Sequence, residues 1–273
     1  MIAASSERDE HGERYDHDER GGRGRGEAVT IVDLGLGNLR SVEKSVERAA
    51  GAAGLGAPTI TRDPDVVGRA RLLVVPGQGA FRDGAAALDA GGGAMRGAIA
   101  AALDGGAAYL GICLGLQLLF DGSDEAPEAR GLSRFAGRVV RIPDGLTDGQ
   151  CPSCAPGAPT TGRRLKVPHM GWNQPVLLRT DGGARLAPLI APRPGEGDPP
   201  WFYFVHGYHA VADDPSIVAA TAGYGCLELT AAIARGPLVA TQFHPEKSQR
   251  AGLALLEAFF ARASAGVPAE ARP

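Results

Sequence analysis

The stretch AAYLGICLGLQLLF (107–120) decides how this chain reads. Its first part, AAYLGI, is an unbroken apolar run of strand length, and LGLQLLF (114–120) reads as a short helix. Between them stands Gly111-Ile112-Cys113-Leu114-Gly115. Small residues on either side of Cys113 permit a sharp strand-to-helix turn, the setting of a nucleophile elbow. The thiol would project at the sheet edge beside a helix N-terminus, where unpaired N–H groups and the helix dipole favour the thiolate. A buried core cysteine is the competing reading of the same residue.

Outward from this point the pattern repeats. VTIVDL (29–34), PTITR (58–62) and RLLVV (71–75) are further strands, the last expected to stop at Pro76, which has no N–H to give a ladder. The GLGN turn (35–38) leads into a helix over about 39–50, and the Ala-rich stretch 84–103 is helical with glycine interruptions. Strands alternating with helices at this spacing indicate βαβ units: an α/β fold with a mostly parallel open sheet flanked by helices. Beyond residue 138 the segments RVVRIP, WFYFVHGYHAV and TAAIARGPLVATQF form an added antiparallel section, with Gly236-Pro237 as a turn. SQRAGLALLEAFFARA (248–263) closes the fold as an amphipathic helix. Residues 28–273 are expected to be one domain with Pro- and Gly-rich loop insertions at 144–163 and 191–200. Residues 1–27, almost without apolar side chains, are expected to be a disordered charged tail.

That tail accounts for the charge. The 273 residues carry 31 Asp+Glu against 28 Lys+Arg; residues 1–27 hold eight of the acids and five arginines, leaving 23 of each in the body. A neutral body lacks the clustered positive field that phosphate contacts need, so no nucleic-acid partner is expected. No apolar run approaches the roughly 18 residues of a membrane span. The start, MIAASSERDE, has no basic region followed by an apolar one, so it does not read as a secretory signal. Four cysteines are too few for a disulfide framework. A cytoplasmic protein is expected. Cys151-Pro152-Ser153-Cys154 finds no second CxxC or close His pair to complete a tetrahedral site, so no metal is expected, and Cys226 is expected to be buried.

A thiol nucleophile wants a base with an orienting partner. Thr241-Gln242-Phe243-His244-Pro245-Glu246 supplies the best candidate: His244 and Glu246 stand two apart just beyond an apolar strand, so both can point to the same side. The carboxylate would fix the imidazole tautomer and stabilise the imidazolium. An acyl-transfer site also needs oxyanion donors. The N–H of Leu114, directly after the nucleophile, is one. The glycines of Pro76-Gly77-Gln78-Gly79 would let backbone approach a ligand, and a simple strand-to-helix turn is the alternative reading.

GICLGLQLL and QFHPEKS together resemble the class I (triad) glutamine amidotransferases. DLGLGNLRSV (33–42), VPGQGAF (75–81), KVPHMGWNQ (166–174) and FHPEKSQ (243–249) are similar to their imidazole glycerol phosphate synthase branch, over about residues 29–262. The resemblance implies hydrolysis of glutamine to glutamate and ammonia without a cofactor. Cys113 would be the nucleophile, His244 the proton carrier and Glu246 its orienter. It implies that the second oxyanion donor comes from Gln78 or Gly79. Gly77, Gln117 and the backbone of Gly207 and Tyr208 would hold the substrate. Ammonia would pass to a cyclase on a separate chain, a (β/α)8 barrel in a heterodimer, which forms imidazole glycerol phosphate and AICAR in histidine biosynthesis.

A partner also makes physical sense, because ammonia released into water at neutral pH is protonated and no longer nucleophilic. Trp172 and Lys247 are expected on the docking face, with a core position as the alternative for Trp172. The chain departs from the family pattern at Gln78, where an apolar residue is usual. It departs again at Gly207 and His209, where a small hydroxyl residue and an aromatic one are more frequent. His209 is thereby a rival base without a neighbouring carboxylate, and His169 and His206 read as structural.

Overall fold

The computed structural model describes residues 28–147, 162–190 and 198–266. The N-terminal tail, most of both expected insertions, and Cys151 and Cys154 lie outside the described residues. The main sheet has eight strands in the order β2 (Gly56–Thr61), β1 (Ala28–Val32), β3 (Leu72–Gly77), β4 (Ala108–Cys113), β14 (Leu238–Thr241), β13 (Leu227–Arg235), β12 (Val218–Tyr224) and β9 (Val176–Leu177). The first five run parallel, and the pairings from β14 to β9 are antiparallel. Gly236-Pro237 is the turn between β13 and β14, as expected.

Both faces of this sheet are covered at its centre, which is why β3 and β4 are buried along their whole length and read as continuous apolar runs. Along β3, Leu72 and Val74 pack with α1 (Leu39–Ala52), α5 (Asp181–Ile190) and α6 (Gln249–Ser264). Leu73 and Val75 point the other way, into the cluster with α2 (Pro64–Gly68), α3 (Phe81–Asp104) and α4 (Leu114–Gln117). Truncating Leu72 or Leu73 to Ala would cost about 2–5 kcal/mol. The glycine interruption in α3 is a true break, with Ala90 extended and Gly91, Gly92 and Gly93 all at positive φ.

Among the described residues, two smaller sheets accompany the main one. β11 (Tyr208–Ala212), β7 (Gly137–Arg141), β5 (Gly122–Ser123) and β6 (Ala126–Arg130) form the first. β10 (Phe202–His206) and β8 (His169–Asn173) form an antiparallel ribbon. WFYFVHGYHAV is therefore split at Gly207 between two sheets.

One sequence expectation fails. β3 does not stop before Pro76 but pairs with β4 through Gly77. The Arg71 carbonyl bonds the Ala108 N–H on β4, and neighbouring residues of a strand bond to opposite sides. Position 76 thus faces β1, whose register with β3 ends at Val74. The missing proline N–H therefore ends the β1 side of the ladder at Val74 and leaves the β4 side intact.

Candidate active site

The parallel strands β3 and β4 end side by side, with Gly77 opposite Cys113, and β14 ends beside them with Thr241 opposite Ile112. The crevice beyond the carboxyl ends of such strands is where open α/β sheets hold ligands. Cys113 turns the chain from β4 into α4 at φ 53°, ψ −100°. A non-glycine residue is strained there, and strain of this kind persists only where the surroundings enforce it. The enforcement is visible. A Cβ on Gly115 would lie 1.8 Å from the Val75 carbonyl oxygen, and one on Gly111 2.8 Å from the Gly115 oxygen, so neither position accepts a side chain. The buried Tyr109 hydroxyl donates to that same Gly115 oxygen at 2.8 Å, tying the strand to the start of the helix.

His244 follows β14. Strand alternation would set His244 and Glu246 on one side; the structure achieves this instead with a 3₁₀ turn, Pro245–Lys247. His244 Nδ1 and Glu246 Oε1 lie 2.8 Å apart, with both side chains 1% exposed. Burial alone would lower the imidazole pKa. The Cys113 sulfur and the Glu246 carboxylate beside the ring outweigh it and raise the value from 6.5 to about 9. Nδ1 is engaged by the carboxylate, and Nε2 makes no other hydrogen bond among the described residues. The backbone is held as firmly: His244 N–H donates to the Tyr203 carbonyl at 2.9 Å, and the Ser248 hydroxyl donates to the His244 carbonyl at 2.6 Å.

The remaining expected residues gather around this pair. Gln117 is buried on α4 and its Nε2 donates to the Tyr208 carbonyl at 3.2 Å, so the structure brings these two together, with Gly207 adjacent. Leu114 opens α4 with no side-chain cap over its first turn. Gly77 and Gln78 line a small cavity together with His244 and Glu246, and Gly79 follows at φ 121°.

The other histidines behave differently. His169 and His206 are buried, with His169 Nδ1 3.2 Å from His206 Nε2, and His206 Nδ1 donates to the Tyr208 carbonyl at 2.9 Å. Desolvation lowers His169 to about 4 and His206 to about 3. His209 is likewise lowered by burial, and its Nδ1 has no partner among the described residues.

Trp172 is 45% exposed, which removes the core reading. On the β8–β10 ribbon, Met170 and Trp172 face outward opposite Val205 and Tyr203, with Trp172 edge-on to Tyr203 at 6.0 Å between ring centroids. Lys247 is half-buried, next to Glu246. Cys226 is partly exposed rather than buried. Sequence reasoning missed Tyr109, Ser248 and Gln242. All three act through contacts with residues distant in the chain or through a hydroxyl whose direction no local pattern specifies.

A family model described as glutamine amidotransferase class-I matches residues 36–263. The chain is 44% identical over 231 residues to the imidazole glycerol phosphate synthase subunit HisH of Syntrophotalea carbinolica, covering 85% of this chain and 98% of that protein. It is 44% identical over 235 residues to the HisH subunit of Methylococcus capsulatus, covering 85% and 95%. Its fold is similar to a crystal structure of a glutamine amidotransferase, with TM-score 0.54 and 17% identity, covering 87% of this chain and 99% of that one.

Proposed function

Because the chain belongs to the class I glutamine amidotransferases, and within them to the HisH subunits of imidazole glycerol phosphate synthase, we propose that Cys113, His244 and Glu246 are the triad of its glutaminase reaction. The chain is a glutamine amidotransferase subunit acting in histidine biosynthesis. The observation that carries the triad is the buried His244–Glu246 pair, formed at the strand ends where Cys113 occupies a strained elbow.

In this reading the Cys113 proton passes to His244 Nε2, and Sγ attacks the γ-carbonyl carbon of glutamine. The carbonyl electron pair moves onto oxygen, which receives N–H bonds from Leu114 and from Gln78 or Gly79. The C–N bond then breaks as His244 returns its proton to the leaving nitrogen, giving ammonia and a glutamyl thioester. His244 next takes a proton from water, whose oxygen attacks the thioester carbon; the C–S bond breaks, glutamate is released, and His244 returns the proton to the Cys113 sulfur. Gly77, Gln117, Gly207 and Tyr208 hold the amino-acid end of the substrate.

The outward face of the β8–β10 ribbon, with Met170, Trp172 and Tyr203, is the docking face for a separate (β/α)8 cyclase in a cytoplasmic heterodimer, with Lys247 at its edge. Tyr203 also supports this role, since its main-chain carbonyl holds the His244 N–H. Among the described residues no helix is long and apolar enough to cross a membrane.

Glutamate release by the chain alone, with the cyclase, and with the cyclase plus its nucleotide ligand tests the reading. Weak release alone and strong stimulation in the ternary mixture are expected. Full activity alone would indicate a free-standing thiol hydrolase, and none under any condition a non-catalytic scaffold.

A further inference from the structure

Gln242 sits between β14 and His244, fully buried, and the glutaminase mechanism gives it no task. Its main-chain N–H is satisfied by the Ala231 carbonyl at 2.8 Å. Its side chain bridges two groups that the mechanism does use. Gln242 Nε2 lies 3.5 Å from Cys113 Sγ, and Gln242 Oε1 lies 3.1 Å from Gln117 Nε2.

An amide can be turned end for end without changing its shape, so the direction of these bonds needs an anchor. The Tyr208 carbonyl supplies one, because a main-chain oxygen only accepts. The Gln117 atom 3.2 Å from it must be the NH2 group. That same nitrogen faces Gln242, which must therefore present its oxygen. The Gln242 NH2 group is left facing the sulfur. The polarity runs one way, and it ends with an N–H directed at Sγ.

A donor aimed at sulfur favours the thiolate over the thiol, and hydrogen bonds to charged groups are about twice as strong as neutral ones. The arrangement also sets Gln117. Both of its amide hydrogens are engaged, by Tyr208 and by Gln242, so the group it has left to offer a substrate is an oxygen, an acceptor suited to an ammonium.

We propose that Gln242 is a further catalytic residue: its side-chain N–H stabilises the Cys113 thiolate, and its link to Gln117 ties the sulfur to the seat of the substrate's amino-acid end. The proposal rests on the glutaminase reading. Gln242 keeps its proton throughout. Its bond to sulfur is strongest in the thiolate, weakens while sulfur is acylated, and strengthens again as the C–S bond of the thioester breaks and sulfur leaves with the electron pair.

The test uses the chain in complex with the cyclase and its nucleotide ligand. Gln242→Met keeps the length and removes both polar atoms; Gln242→Leu removes them with a branched side chain. Either is expected to lower kcat roughly 10–100-fold, the range for a hydrogen bond to a charged group. Alkylation of Cys113 by iodoacetamide should slow several-fold at pH 7. A role in packing alone would lower the melting temperature and leave the alkylation rate unchanged. Unchanged kcat and unchanged alkylation in a folded variant would overturn the proposal.

If both variants fail to fold, the unmutated protein decides. The Gln242 side-chain amide resonances should shift when Cys113 is alkylated, and constancy refutes the contact. Cys113→Ser separates the two levels. Turnover that survives it removes the glutaminase reading itself, whereas turnover lost there but unaffected at Gln242 removes only this proposal.

Discussion

Two buried imidazoles stand in neighbouring parts of this molecule and are driven in opposite directions. His244, in the turn after β14, is raised to about 9; His206, on the β8–β10 ribbon, is lowered to about 3. Both are taken out of water, which by itself disfavours the charged ring. The difference lies in their partners. His244 has the Glu246 carboxylate on Nδ1 and Cys113 beside it, whereas His206 has a main-chain carbonyl and another imidazole, His169. An ionisable partner, not burial, raises His244, the proposed proton carrier, and the lack of one leaves His206 neutral.

The largest expected effects attack the His244 side. Cys113→Ser should lower glutamate release by roughly 10⁴-fold or more, with the cyclase complex still formed. Glu246→Gln keeps the turn but replaces the carboxylate, and should cost about 10²–10⁴-fold in kcat. If instead His206→Gln caused the comparable loss and Glu246→Gln little, the assignment of roles would be reversed. Trp172→Ala should weaken the cyclase complex roughly 10–100-fold in a titration. Unchanged affinity together with unchanged stimulation would exclude Trp172 from the interface.

A smaller effect separates the two imidazoles by pH. His244 is raised above its ordinary 6.5, so its stabilising contribution is complete below about pH 6.5 and is lost as pH rises through about 9. His206 is depressed and buried neutral. The unfolded chain binds the extra proton first, so stability falls as pH drops from about 6.5 towards 3. The melting-temperature advantage of the unmutated protein over His244→Asn should shrink on the alkaline side. Its advantage over His206→Gln should shrink on the acid side. Parallel pH trends for the two variants would contradict the comparison.

How much of this is legible in the sequence follows the range of each signal. The elbow is, because Gly111, Cys113 and Gly115 act within one turn and the apolar run before them is continuous. The sheet is, because burial on both faces writes itself as unbroken apolar strands. Pro76 misleads because its missing N–H faces β1 alone, so only that ladder ends there while the pairing with β4 continues. The helix at Asp181–Ile190 gives a weak signal, since Gly182, Gly183 and Pro188 all lie within it. There the glycines serve close approach: a Cβ on Gly183 would lie 1.8 Å from the Leu178 carbonyl oxygen. Trp172 cannot be placed without knowing that β10 pairs with β8 and which face that pairing turns outward. Gln242 stands in plain view beside His244, but its contact with Cys113 joins residues 129 apart.

The central claim is that Cys113, served by His244 and Glu246, becomes acylated by glutamine. Rapid acid quench of the chain during turnover with the cyclase and its nucleotide ligand, followed by peptide mass mapping, tests this directly. One glutamyl group is expected on the peptide carrying Cys113, absent in Cys113→Ser and accumulating when His244 is replaced by a residue that still permits acylation but not hydrolysis. Steady glutamate release with no adduct on Cys113, or with the adduct on Cys226, would contradict it.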